Sequence, residues 1–299
     1  MRLTTVLVSA ATLALLSAAP ATAADFVAQA GVNANVFANA SCSNSTANVT
    51  GHAPVRAENV CTRSDIGTGH AADFASFAHL GSESDASSHN GDSLGAGASG
   101  QADFTDFIVF SQANGGGATT TDVTVNLLLE GVLAATAAPL QGGGAGAGVE
   151  GFLLFNNEFF NFRYERFSDG TTSERNSFIT NGDLLTEGRV AMHTPLITVG
   201  LNTPIQFRLH LETGVGTSGP ASFALADFAQ SSFKLPTNGP AFGLADGFTA
   251  NAGDYLVDNR FIDPLAPAAG GVPEPTSWAM LIVGFGLSGV VVRRRRQLA

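Results

Sequence analysis

Three groups of residues in this sequence could do chemistry. Ser93 stands in Gly91-Asp92-Ser93-Leu94, where a serine could act as a nucleophile if a histidine took its proton. His70, His79 and His89 recur near Asp73, Glu83, Asp85 and Asp92, and in a β protein such residues could converge on a metal ion. Cys42 and Cys61 are the two cysteines of the chain. Their spacing suits a disulfide in an oxidising compartment, and closing such a loop is worth about 3 kcal/mol.

The plainer reading of each group is structural. Gly91-Asp92-Ser93-Leu94 resembles the nucleophile motif of the GDSL-type lipases and esterases, but no Asp-x-x-His follows it and no helix pattern comes after it. Catalysis is therefore not expected. The histidine spacings match no metal-ligand pattern, so solvated loop histidines are expected and no metal centre is assigned. His193 and His210 fall on or near strands, where outward solvated positions suffice. The acidic loops leave calcium open as a ligand, although no Asp-x-Asp-x-Asp-Gly loop occurs. A polysaccharide-binding module would need a concave sheet face lined with exposed aromatic and polar side chains. Sugar platforms favour Trp and Tyr, and the body offers only Tyr164 and Tyr255, which weighs against one. Phe159, Phe160, Phe162 and Tyr164 read as core and edge of a strand pair.

The elements that would position these residues are strands. No stretch of the body sustains a 3.6-residue period. Residues 204–213 alternate Ile205, Phe207, Leu209 and Leu211 with Gln206, Arg208, His210 and Glu212, the pattern of a sheet with one wet face. Residues 25–37 read as an edge strand, and 71–80, 102–111, 121–129, 152–155, 159–167, 188–193, 196–200, 242–248 and 255–262 as further strands. In residues 221–235 the phase slips near Asp227, which predicts a bulge. Residues 38–70 read as loop-rich, and the Gly-rich runs 81–100 and 141–148 as exposed loops. With twenty-two phenylalanines to bury, this predicts an all-β fold, a β-sandwich or jelly roll.

The two ends read differently from the body. Arg2, an apolar run and an Ala-x-Ala exit make residues 1–23 a secretory signal peptide, cleaved after Ala23 or, as second choice, Ala24. The Sec translocon and signal peptidase are its expected partners. Residues 24–262 form the body and 263–271 a Pro/Ala/Gly linker. Body and linker together keep nine basic and twenty-four acidic residues, a formal charge of −15, which disfavours nucleic acid and anionic membranes.

Residues 272–299 place three devices in order: Pro273-Glu274-Pro275, an uncharged run from Trp278 to Val292, then Arg293, Arg294, Arg295 and Arg296. As a helix the run is about 23 Å long, a little under the hydrocarbon core of a bilayer. Trp278 suits one interface, and the arginines at the other end suit the cytoplasm. Gly284-Phe-Gly286-Leu-Ser-Gly289 satisfies a dinucleotide-binding spacing, but no strand and no distal acid accompany it. Its glycines read as small residues that let another membrane helix approach closely.

This stretch resembles the PEP-CTERM sorting tail in its tryptophan-containing variant. The resemblance implies recognition by an exosortase-type membrane protease at Pro273, Glu274 and Pro275. It also implies a transient inner-membrane anchor, then the cell surface or an exopolysaccharide (biofilm) matrix. A weaker likeness to other PEP-CTERM bodies covers Ala226-Asp227-Phe228, Leu235-Pro236, Gly247-Phe248-Thr249 and Val257-Asp258-Asn259. In those proteins it goes with a β-sandwich and no assigned activity. The expectation is an exported, non-enzymatic envelope or matrix protein; the alternative is a module that binds polysaccharide or calcium.

Overall fold

The computed structural model describes residues 25–35, 45–63, 65–89, 95–113, 116–138, 143–253 and 255–262, with side chains from residue 50 onward except 230 and 231. The signal peptide, Cys42, Ser93, the linker and the tail lie outside them. Among the described residues no helix is long and apolar enough to cross a membrane.

Strands make up nearly everything. In chain order they are β1 (Asp25–Asn35), β2 (Ser45–Gly51), β3 (Val55–Arg63), β4 (Gly67–Ser76), β5 (His79–Ser88), β6 (Gly95–Gln112) and β7 (Thr120–Glu130). Then come β8 (Val132–Thr136), β9 (Gly144–Phe155), β10 (Glu158–Phe167), β11 (Thr172–Asn176), β12 (Ile179–Asp183), a one-turn helix α1 (Leu184–Glu187), β13 (Arg189–His193) and β14 (Ile197–Gly200). The last are β15 (Pro204–Ser218), β16 (Ser222–Lys234), β17 (Phe242–Leu244), β18 (Phe248–Asn251), β19 (Leu256–Val257) and β20 (Arg260–Phe261).

They form two large antiparallel sheets. The first runs β11-β10-β9-β15-β6-β1-β2, with β18 also on β6. The second runs β12-β13-β7-β16-β5-β4-β3, with β14 and β17 on β7 and β8 on β16. Alternation decides which side chains enter the shared core. In β15, Ile205, Phe207, Leu209 and Leu211 are buried, as their spacing predicts. Aromatic rings join the sheets edge to face: Phe110 of β6 meets Phe242 of β17 at 5.2 Å, and Phe162 of β10 meets Phe233 of β16 at 5.1 Å.

Four expectations need correction. Residues 38–70 are not mainly loop, because they contain β2 and β3. The glycine-rich runs 81–100 and 141–148 contribute most of β5 and the starts of β6 and β9. There Gly alternates with Ala, and the alanines point inward: Ala96, Ala98, Ala145 and Ala147 are buried. Small inward residues let the sheets approach closely; a Cβ on Gly100 would meet Asp73 Oδ1 at 2.3 Å. Third, β1 is no edge strand, since it pairs with both β2 and β6. Fourth, His210 is not solvated, as described below. The phase slip expected near Asp227 is present: the β16–β5 register breaks between Phe228 and Phe233.

Candidate functional site

The outward faces of β10, β9, β15 and β6 form a concave site. The registers align them in rows. One row runs Arg163, Glu150, Glu212, Gln101. The next runs Glu165, Gly148, Gly214, Ser99, and the third Phe167, Gly146, Gly216, Gly97. The lower two rows carry almost no side chains beyond β10. The result is a trench of about 650 Å³ with a backbone floor, walled by Glu150, Glu212, Arg163 and Phe167.

Glycine weakens a strand, so its retention here needs a cause. At Gly67, Gly81 and Gly151 the cause is packing, because a Cβ would come within 2.5 Å of backbone. At Gly214 and Gly216 it would meet nothing within 4 Å. The fold does not require those glycines. They keep the floor bare, which a closely approaching ligand would need.

A second hollow of about 240 Å³ shares Glu150 and Arg163 and continues along β10. Phe159, Asn161, Arg175 and His210 line it. Phe159 is 57 % exposed and leans on Phe152 at 5.1 Å, so a hydrophobic ring stands open to solvent. Phe167 is also exposed, and eight residues of strand put the two rings about 27 Å apart. Arg163 pairs with Glu165 at 2.6 Å and Glu150 at 3.4 Å, while Arg175 has no partner among the described residues.

Below Phe152 lies a charged cluster. His210 stacks on the Phe152 ring at 4.6 Å and donates to Asp103 at 3.1 Å. Arg208 donates to the same carboxylate at 2.8 Å, and Gln101 to its other oxygen at 2.9 Å. Burial opposes charge on both partners, yet these bonds win. Asp103 is held below the usual carboxylate range, and Asp103 with Glu212 pushes His210 up to about 9.

The structure sorts the sequence candidates. His70, Glu83 and Asp85 come together on the outer face of the second sheet. His79 packs against the edge of Phe74 at 5.7 Å, and His89 follows the end of β5. Asp73 points into the core, where Ser82 donates to its Oδ1 at 2.6 Å. Burial pushes Asp73 up to about 8. His193 is half-buried, with Nδ1 3.0 Å from the Thr194 carbonyl. Cys61 is buried and disulfide-bonded. Sequence reasoning missed the trench. Its signal was the i, i+2 recurrence of Gly144, Gly146 and Gly148 between Ala145 and Ala147.

Comparison with protein-family models adds one finding. The model of the PEP-CTERM protein-sorting motif matches residues 271–296. This chain carries a PEP-CTERM sorting motif. The match covers the segment that begins just before Pro273 and ends at Arg296, and it marks the chain as an exported protein sorted through its C-terminal tail. No curated protein and no solved structure matches this chain, so the trench has no counterpart from which to borrow a ligand.

Proposed function

We propose that this PEP-CTERM protein is a non-enzymatic component of the cell envelope or exopolysaccharide matrix. An exosortase-type protease processes its tail near Pro273, and its body holds a polysaccharide strand in the trench. The sorting motif supports the first half. The second half rests on the bare floor at Gly214 and Gly216, glycines that the fold itself does not need.

The site suits an extended, uncharged or mixed-charge glycan. Its floor offers peptide groups at close range. Its walls alternate carboxylates and guanidinium, groups that pair well with hydroxyls. Phe159 and Phe167 offer apolar faces for sugar rings at the two ends, since residues 24–262 contain no Trp and both of their tyrosines, Tyr164 and Tyr255, are buried. The direct test is retention of the purified protein on native exopolysaccharide. Filling the floor with Gly214→Val should abolish retention and leave the fold intact. Undiminished retention would remove the trench from the account.

A further inference from the structure

We propose that His70, Glu83 and Asp85, with Glu58 beside them, bind a divalent transition-metal cation on the outer face of the second sheet. One ligand atom from each of the first three lies within 4.8 Å of the others. Ligands about 2.1 Å from one ion stand at most about 4.2 Å apart, so small rotations of these half-exposed side chains close the site.

The sheet register explains the convergence. His70 of β4 faces Asp85 of β5 directly, and its Nδ1 is 2.9 Å from Asp85 Oδ2. Ala72, two residues on, is flanked by Glu58 of β3 on one side and Glu83 of β5 on the other. A methyl group at position 72 leaves the space above it to the longer side chains. Glu58 Oε1 already reaches to 3.5 Å from His70 Nε2.

Charge gives a second, independent reason. Glu83 lies directly opposite Asp227 of β16, and like charges in that position destabilise a sheet. Asp85 stands two residues away on the same face. Among the described residues no arginine or lysine forms an ion pair with Glu83, Asp85 or Asp227; Arg56 acts on Glu83 only through its field. A bound cation would remove this repulsion. The imidazole selects the class, since nitrogen with carboxylates suits zinc, cobalt or manganese, whereas calcium takes oxygen alone.

The test uses the exported protein, stripped by a chelator and titrated with Co²⁺ and Zn²⁺. The expected result is a visible Co²⁺ absorption band, displaced by Zn²⁺, and a higher thermal midpoint with Zn²⁺. Glu83→Gln and His70→Gln should each weaken the apparent affinity at least tenfold. If His70→Gln fails to fold, Glu83→Gln carries the test alone. Absence of both band and midpoint shift would overturn the proposal, as would an equal response in the foldable variants. A response to Ca²⁺ alone, indifferent to His70→Gln, would also overturn it.

Discussion

Asp103 holds His210 at 3.1 Å while Arg208 reaches the same carboxylate oxygen at 2.8 Å, so a charged triad gathers against the Phe152 ring, with Asp103 and His210 buried and Arg208 partly exposed. Removing one member leaves the others poorly paired. Asp103→Asn should cost about 3 kcal/mol, read by urea denaturation at pH 7.

The same triad gives a pH dependence with a definite sign. His210 has a folded value of about 9, against an ordinary value of about 6.5. Its contribution is complete below about pH 6.5 and is lost as pH rises through about 9. Asp103 is shifted the other way, so its contribution is present above the unfolded carboxylate value and lost as pH falls through its lower folded value. Thermal midpoints should fall between pH 6.5 and 9, and Asp103→Asn should remove most of that alkaline fall.

Asp73 adds a separate slope. Among the described residues its Oδ2 has no hydrogen-bond partner, and burial raises its folded value to about 8. The folded protein therefore keeps a proton that the unfolded chain releases near pH 4. Stability from this group declines from about pH 4 to about 8 and is level above that. Asp73→Asn should flatten the midpoint between about pH 4 and 6.5 and make the fall above 6.5 shallower, leaving only the His210 limb there.

Cys61 is buried on β3 in a disulfide, and Cys42 is the other cysteine of the sequence. Peptide mapping without reductant should recover the two cross-linked. Reduction should lower stability by about 3 kcal/mol.

Gly214→Val places a β-branched side chain where a Cβ meets nothing within 4 Å. It should keep or raise the thermal midpoint, because glycine in a strand costs about 0.5–1 kcal/mol. Loss of glycan retention with an unchanged midpoint is the expected pairing.

The fold class was legible where side chains alternate in size. Residues 204–213 and 121–129 declare their buried faces, and both are strands with those faces inward. Residues 144–148 were not legible, because glycine lowers strand propensity and resembles a turn. There the alternation is between hydrogen and methyl, too small to register as hydrophobic patterning. Outward polarity was also ambiguous. His210 has the sequence signature of a wet face, yet Phe152 covers it, and only the β9–β15 register places that ring there. The meeting of His70, Glu83 and Asp85 required the β4–β5 register, which fixes position 70 opposite position 85.

The central claim is export followed by processing at the tail. Mass spectrometry of both ends of the protein, taken from membrane and extracellular fractions of the native host, tests it most directly. The account predicts a start at Ala24 or Asp25 and an end near Pro273, with Trp278 to Val292 gone. A chain found only in membranes and still carrying Arg293 to Ala299 would contradict it.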